Sequence, residues 1–157
     1  MVHAKDVLAN QLLANANDPS WYSPFAQAVE GLTEEEAFWK PDGNSNSIAE
    51  ITQHLLYWNN AWQTRYHLGR VDAVPPVEDN NSSFVIPEGT AFDQLRTKLL
   101  EVLLGWQPLL QEDRLEAKAA GFPVPAEWWE IISNAAMHNA YHIGQIVFIR
   151  KFIGSRE

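Results

Sequence analysis

Apolar side chains recur every three or four residues in four long stretches of the chain, a spacing typical of α-helices with one buried face. No stretch alternates apolar and polar residues for long enough to indicate a β-strand. The pattern predicts an all-α fold in which residues 1–157 form one four-helix bundle domain, with long connections between helices 2 and 3 and before helix 4. Such bundles commonly hold metal or ligand sites between facing helices.

The first helical stretch runs from about Val2 to Glu30. Pro19 and Pro24 lie within it, in NDPSWYSP, and we expect them to divide it into two pieces because proline lacks an amide donor. A short helical turn and a polar connector are predicted next, in LTEEEAFWKPDGNSNS. The acidic run at 34–36 within this segment is interpreted as a solvated face rather than a metal site.

The second helix is the one with the clearest boundaries. Ser47 or Asn46 can cap its start, and Glu50 completes a capping box with Ser47. The helix reaches about Leu68, and Gly69 is predicted to end it.

Two long connectors separate the later helices. Residues 70–89 contain three prolines and are predicted to form a loop that either covers a functional site or merely crosses the surface. The second connector is EDRLEAKAAGFPVP. The third helix is predicted to run from a cap formed by Thr90 with Asp93 to about Gln111, with a kink at Pro108. The fourth is predicted to run from about Pro125 to Phe152, with Gly154 at its end.

Composition narrows the classes of function. The chain has no cysteine, which excludes disulfides, thiolate ligands and a cysteine nucleophile. Its formal charge of -9 opposes binding to nucleic acid. No long apolar run predicts a membrane span or a signal peptide, so we expect a cytoplasmic protein. Seven tryptophans are interpreted as core and subunit contacts, with an aromatic ligand pocket as the alternative, and they favour a homodimer.

Two histidines, His138 and His142, stand four residues apart in the apolar segment MHNAYHIGQI. At 100° per residue both point along the apolar stripe of the fourth helix, so both imidazoles are predicted to be buried. Burying two neutral imidazoles without partners is unfavourable, and burying two charged ones adds repulsion. A cation bound between them resolves both difficulties. Residues at i and i+4 lie about 6 Å apart at Cβ, which is close enough for both rings to reach one metal ion. The alternative is a pair of satisfied core or surface histidines.

A third metal ligand has to come from another helix. His54 flanks the buried stripe of the second helix, where it can face a neighbour. His67 lies roughly 140° around the same helix from His54, so the two cannot face one site, and His3 is close to a terminus that is expected to fray. The predicted ligands are therefore His54, His138 and His142.

The spacing of His138 and His142 also occurs in the zinc-protease helix motif. That motif requires glutamate directly after the first histidine as general base. Asn139 occupies this position, so the sequence does not support a protease.

Two segments, NSNSIAEITQHLLYWNNAW and AAMHNAYHIGQIVFIRK, together resemble the motifs of the DinB-like superfamily of metal-binding four-helix bundles. WYSPFAQAVEGLTEEEAFWKP resembles the helix and turn that precede the first motif in one branch of that family. The resemblance spans most of the chain and is weakest over residues 70–125. It implies a histidine triad at His54, His138 and His142, the three residues that helical phase selects.

Other residues near these motifs have two interpretations each. Gly144 indicates either a close approach between helices or a small residue for packing. Gln145 is a hydrogen-bond partner for a ligand ring or a substrate, or else reaches the bundle end. Asn134 and Glu50, each one turn before a predicted ligand, are further candidates to orient an imidazole.

Three histidine ligands leave a divalent metal with open positions, which is typical of catalytic sites. Imidazole suits several metals, of which zinc and nickel are the candidates. The resemblance implies a metal-dependent thiol S-transferase that uses bacillithiol, mycothiol or glutathione, so the expected partner is a small-molecule substrate or thiol. The alternatives are a metal-dependent hydrolase, a non-enzymatic metal-binding or stress-response bundle, and a helical interaction module without metal.

The sequence identifies no general acid or base. Metal affinity is expected to fall below about pH 6, because protonated imidazole does not bind metal.

Overall fold

Four long helices form the body of the protein, whose computed structural model describes residues 1–154. Three short helices lie in the connections, and no β-strand forms within the described residues, so the predicted all-α four-helix bundle is confirmed. The long helices are α1 (Ala4–Ala16), α4 (Ile48–Leu68), α5 (Phe92–Leu109) and α7 (Trp128–Gly154), and the short ones are α2 (Phe25–Ala28), α3 (Glu34–Phe38) and α6 (Glu112–Leu115). Around the bundle, α4 packs between α5 and α7, and α1 closes the opposite side against the same two helices.

Local sequence signals set several helix ends as predicted. The chain leaves helix at Ala16 and re-enters it after Pro24, so the first stretch is indeed two pieces. At the start of α4, Ser47 and Glu50 form the predicted capping box, with backbone-to-side-chain hydrogen bonds of 2.7 and 3.1 Å. Gly69 ends α4 with φ at 74°, a left-handed conformation that glycine adopts without steric cost.

The start of α5 differs from the prediction. The helix begins at Phe92, with Ala91 as its N-cap, rather than at a cap formed by Thr90 with Asp93. Phe92 is buried, which fixes the helix register, and its amide donates to the carboxylate of Glu34 at 3.0 and 3.1 Å. A carboxylate from α3 therefore caps α5, so one member of the acidic run has a structural role beyond the solvated face that the sequence indicates.

The boundaries of the last two long helices also differ. α5 ends at Leu109, two residues before the predicted end, with Pro108 inside its last turn. α7 begins at Trp128 instead of Pro125, because the preceding residues pair with the connector in an extended conformation. The amide of Ala119 donates to the carbonyl of Ala126 at 2.9 Å, and the amide of Trp128 donates to the carbonyl of Ala117 at 3.1 Å.

A buried polar pair joins the helices near the middle of the bundle. Asn59 of α4 and Asn139 of α7 exchange side-chain amide hydrogen bonds of 2.7 and 3.0 Å, and the indole of Trp106 on α5 donates to the oxygen of Asn59 at 2.9 Å. This pair fixes the relative position of α4 and α7 next to the histidines. Over residues 1–154, none of the helices is both long enough and apolar enough to cross a membrane.

Candidate metal centre

The three predicted histidines lie side by side between α4 and α7. The Nε2 atom of His138 is 3.1 Å from Nε2 of His54 and 3.1 Å from Nε2 of His142. His54 and His142 are buried, with 1% and 8% of their surface exposed, and His138 is partly buried. The two helices are neighbours in the bundle, so the one-turn spacing on α7 and the flanking position on α4 converge on one point.

The hydrogen bonds of Ser83 fix the tautomer of His54. Ser83 lies in a 3₁₀ turn, Asn80–Phe84, within the long loop, and its hydroxyl is 2.6 Å from Nδ1 of His54. The same hydroxyl donates its only hydrogen to the carbonyl of Asn80 at 2.6 Å. The oxygen must therefore accept from His54, so Nδ1 carries the proton and the lone pair of Nε2 points into the cluster.

Gln145 holds His142 in the same way. Nδ1 of His142 lies 2.7 Å from Oε1 of Gln145, an acceptor, so this imidazole also presents its Nε2 lone pair to the cluster. Of the two interpretations of Gln145, the structure therefore shows the hydrogen bond to a histidine ring, that of His142.

The arrangement fits a divalent cation. The Nε2 lone pairs of His54 and His142 both point at His138, and a single proton on His138 could satisfy both only by being shared. A metal ion bound there would instead receive a lone pair from each of the three nitrogens. Two nitrogens bound to one tetrahedral zinc ion at 2.0–2.1 Å are about 3.3 Å apart, close to the separations found here. The three donor atoms all lie within 4.8 Å of one another, and no aspartate, glutamate or cysteine joins them within residues 1–154.

The long loop covers the site, which is one of the two interpretations of its sequence. The ring of Phe84 stacks on the imidazole of His54, with centroids 4.0 Å apart and planes 6° apart. No pattern in the sequence marks Ser83 or Phe84 as part of the site. The only signal for them is the Asn- and Ser-rich run at 80–83, which predicts a turn but not the helix that the turn contacts.

Burial sets the protonation state of the cluster. Burial, with the charges of His142 and His138, lowers the pKa of His54 to about 3. Burial and the charge of His142 lower the pKa of His138 to about 4. Burial also lowers the pKa of His142, and its hydrogen bond with Gln145 opposes that change. All three imidazoles are therefore neutral at pH 7, the state in which they bind metal.

Three other candidate residues lie elsewhere. The carboxylate of Glu50, one of the candidates to orient an imidazole, contacts Lys40 at 2.8 Å and the amide of Ser47, so it does not orient His54. Asn134 is exposed, and its amide donates to the carbonyl of Glu130 at 3.1 Å, so it does not orient an imidazole either. A Cβ built on Gly144 meets no atom within 4 Å, so Gly144 marks no close approach inside the bundle.

A cavity of about 360 Å³ adjoins the histidines and is partly bounded by His138. Its lining combines aromatic rings, side-chain amides and small apolar groups, and apart from His138 it contains no ionisable side chain: Trp58, Trp62, Phe122, Asn59, Asn80, Asn134, Asn139, Ile131 and Ala135. The indole of Trp58 donates to Asn80 at 3.2 Å, which ties the loop to α4 at the edge of the cavity. The volume is within the range of small-molecule sites.

The sequence match to a known family covers most of the chain. A family model described as the DinB superfamily matches residues 22–146. The chain belongs to the DinB superfamily. The matched part of this DinB-superfamily chain contains all three histidines and Gln145, so the resemblance carried by the two motifs is confirmed.

Two solved structures from Bacillus subtilis share the fold. The DinB-like protein YjoA is 15% identical with a TM-score of 0.69, and the alignment covers 94% of this chain and 92% of YjoA. YfiT is 16% identical with a TM-score of 0.73, over 96% of this chain and 87% of YfiT. YfiT is described as a probable metal-dependent hydrolase with an unusual four-helix bundle topology. No match was found among curated proteins.

Proposed function

We propose that His54, His138 and His142 bind one divalent metal ion, zinc or nickel, through their Nε2 atoms. The observation that carries the proposal is the fixed tautomer of His54, whose proton is held at Nδ1 by Ser83. A histidine buried only for packing also needs a partner for its N–H, but His54 in addition directs its Nε2 lone pair at Nε2 of His138, 3.1 Å away, as a metal ligand must direct it at an ion.

The small number of protein ligands and the adjoining cavity favour an enzyme over a structural metal site, because three histidines would leave a bound divalent ion with open positions. A divalent ion held there would act as a Lewis acid and lower the pKa of a coordinated thiol or water. His138 bounds both the histidine cluster and the cavity, so a substrate in the cavity lies next to the metal position. The uncharged aromatic lining fits a small uncharged substrate, and the amides of Asn80 and Asn134 offer hydrogen bonds to its polar groups.

Thiol transfer suits this site better than hydrolysis. A thiol has a pKa near 8.5, so a metal ion has only to lower it modestly to form the thiolate nucleophile. Water starts about seven units higher, and its activation is usually assisted by a general base. The cavity lining offers no aspartate or glutamate for that role. We therefore propose that a low-molecular-weight thiol would bind at the metal position and lose its proton to solvent. Its sulfur would then form a bond to an uncharged electrophile in the cavity and displace the leaving group of that electrophile.

Hydrolysis is the second candidate, because YfiT, which shares the fold, is described as a probable metal-dependent hydrolase. The test uses tag-free protein substituted with cobalt and titrated with glutathione, bacillithiol and mycothiol. A thiolate-to-cobalt absorption band, followed by transfer of the thiol to an uncharged bimane electrophile, supports the transferase. Turnover of nitrophenyl esters without any thiol effect supports the hydrolase instead. Metal binding without either reaction supports a non-enzymatic bundle.

The metal site itself is tested by elemental analysis of tag-free protein. We expect one divalent ion per chain, and loss of most of it in His138→Ala. His67→Ala is the matched control, because His67 is an exposed histidine on α4 that lies outside the cluster. Equal metal contents in His138→Ala and His67→Ala would remove the proposed site.

A further inference from the structure

Gly144 occupies an unusual place in the middle of α7. A glycine inside a helix is less favourable than alanine by about 1 kcal/mol. Its backbone is not in a left-handed conformation, and an added Cβ would meet no atom within 4 Å. Neither the local conformation nor packing within the described chain therefore explains a glycine here.

Large apolar side chains surround Gly144 on the same exposed face of α7. This face, the α7 row, consists of Met137, Tyr141, Phe148 and Phe152, which are 59%, 65%, 62% and 45% exposed. Tyr141, Gly144 and Phe148 follow one another at intervals of three and four residues, the spacing of a helix seam that faces a partner. From residue 137 to residue 148, no exposed position of α7 carries a charge.

We propose that the α7 row is a homodimer interface, in which α7 of one chain crosses α7 of a second copy at Gly144. Tyr141 and Phe148 lie equally far from a point between Gly144 and Gln145, and so do Met137 and Phe152. An antiparallel two-fold pairing about that point therefore places Tyr141 opposite Phe148 of the second copy. A glycine at the crossing lets the two helix backbones approach closely.

A hollow beside Gly144 completes the self-complementary surface. It has a volume of about 310 Å³ and is bounded by Tyr22 and Ser23 on one side and by Ala140 and Gly144 of α7 on another. An exposed aromatic side chain of the second copy fits such a hollow, and the two-fold axis repeats the contact on the other side. The surface thus offers both the projecting ring and the recess that receives it.

Charge and area favour a second copy as the occupant. Each chain carries a formal charge of -9, so two copies repel each other, and an uncharged face is the one on which they can meet with the least repulsion. Aromatic side chains bury about 150–250 Å² each, so three that are about half exposed supply roughly 300 Å² of apolar surface per copy. The largest apolar patch on a typical monomer is of about this size and is often functional, and this one would form the centre of the roughly 800 Å² that each partner buries in a stable interface.

The test measures the mass of the full-length protein by sedimentation equilibrium over a wide range of concentration. We expect a dimer, and we expect Gly144→Lys and Phe148→Lys each to raise its dissociation constant by about tenfold or more, because each places a charge in the seam. Leu68→Lys is the matched control, since Leu68 is an exposed apolar residue on α4, outside the row. It adds the same charge and should leave the dimer intact.

Thermal unfolding separates loss of the interface from loss of the fold. Because a side chain at position 144 meets open space, the Gly144→Lys monomer should unfold at a temperature no lower than that of the wild-type monomer, both measured at a concentration low enough to dissociate any dimer. A wild-type protein that stays monomeric at the highest concentrations overturns the proposal. So does a dimer that both lysine variants leave unchanged. Metal content is independent of either result.

Discussion

Ser83→Ala isolates the contribution of the loop to the metal centre. Ser83 and His54 are 2% and 1% exposed, and the hydroxyl is the acceptor for Nδ1–H of His54 at 2.6 Å. Alanine removes that acceptor without adding bulk. The buried N–H then has no partner, and the imidazole loses the contact that holds its orientation and tautomer.

The expected cost follows from that one contact. A buried donor left without an acceptor destabilises a fold by about 1–3 kcal/mol. Outer hydrogen-bond partners of metal-binding histidines typically contribute 10–100-fold in metal affinity, which corresponds to about 1.4–2.8 kcal/mol. We therefore expect zinc affinity to fall by about 10–100-fold in Ser83→Ala.

Ser82→Ala provides the matched control. The hydroxyl of Ser82 donates to the carbonyl of Asp79 at 2.6 Å in the same turn, but Ser82 is exposed and makes no contact with a histidine. Loss of a hydroxyl from the turn itself is therefore common to both variants. Only Ser83→Ala removes the partner of His54.

Zinc affinity is measured by competition with a chromophoric chelator at neutral pH, and stability by urea unfolding of the metal-free proteins. If Ser83→Ala and Ser82→Ala bind zinc equally well, the hydroxyl of Ser83 does not control His54. In that case the tautomer of His54 does not set the metal affinity, even if the three histidines still bind metal.

Three further predictions concern the buried groups around the site. Asn139→Ala should lower the free energy of unfolding in urea by about 1–3 kcal/mol, since Asn59 loses both of its hydrogen bonds to Asn139. The control Asn134→Ala, at an exposed position, should change it by less than about 0.5 kcal/mol. Equal effects of the two substitutions would contradict this prediction. In the metal-free protein, the unfolding free energy should fall as pH drops from about 6.5 towards 4, by up to about 1.4 kcal/mol per pH unit for each histidine. The imidazoles of the unfolded chain bind protons in this range, whereas those of His54 and His138 in the folded chain stay largely neutral until the pH approaches their pKa values of about 3 and about 4. A stability that does not change over this range in urea titrations would contradict the assigned burial. Zinc at a thousandfold excess over its dissociation constant should stabilise the wild type by about 4 kcal/mol in thermal unfolding, and His142→Ala should abolish this gain.

Depressed pKa values also bear on the pH range in which metal is released. An ordinary imidazole titrates near pH 6.5, which is the basis for expecting affinity to fall below about pH 6. In the folded chain, burial lowers the pKa of all three imidazoles, so protons compete for these nitrogens only at lower pH. Metal release should accordingly begin below the range expected for ordinary histidines, and a titration of bound metal against pH measures this.

Local patterns in the sequence are sufficient to predict that the four long helical stretches exist and to select the three histidines, although not to set every helix end. Helical phase depends only on spacing along one element, so it places His138 and His142 on the buried face of α7 and His54 towards a neighbour. Capping and helix-ending signals act within a few residues, which is why Ser47 with Glu50 and Gly69 mark the ends of α4. The absence of cysteine restricts the ligand chemistry to imidazole and carboxylate by composition alone.

The tertiary structure alone decided which groups support those histidines. Ser83 and Phe84 reach His54 because of the path of a 20-residue loop, and no periodic pattern encodes such a path. Glu34 caps α5, and Asn139 pairs with Asn59, across 58 and 80 residues of sequence. Hydrogen bonds of this kind depend on how the helices pack, since a polar side chain takes whichever partner the assembled bundle brings within reach. The sequence therefore identified the candidate ligands, and the packing of loop and helices determined their tautomers and their protonation.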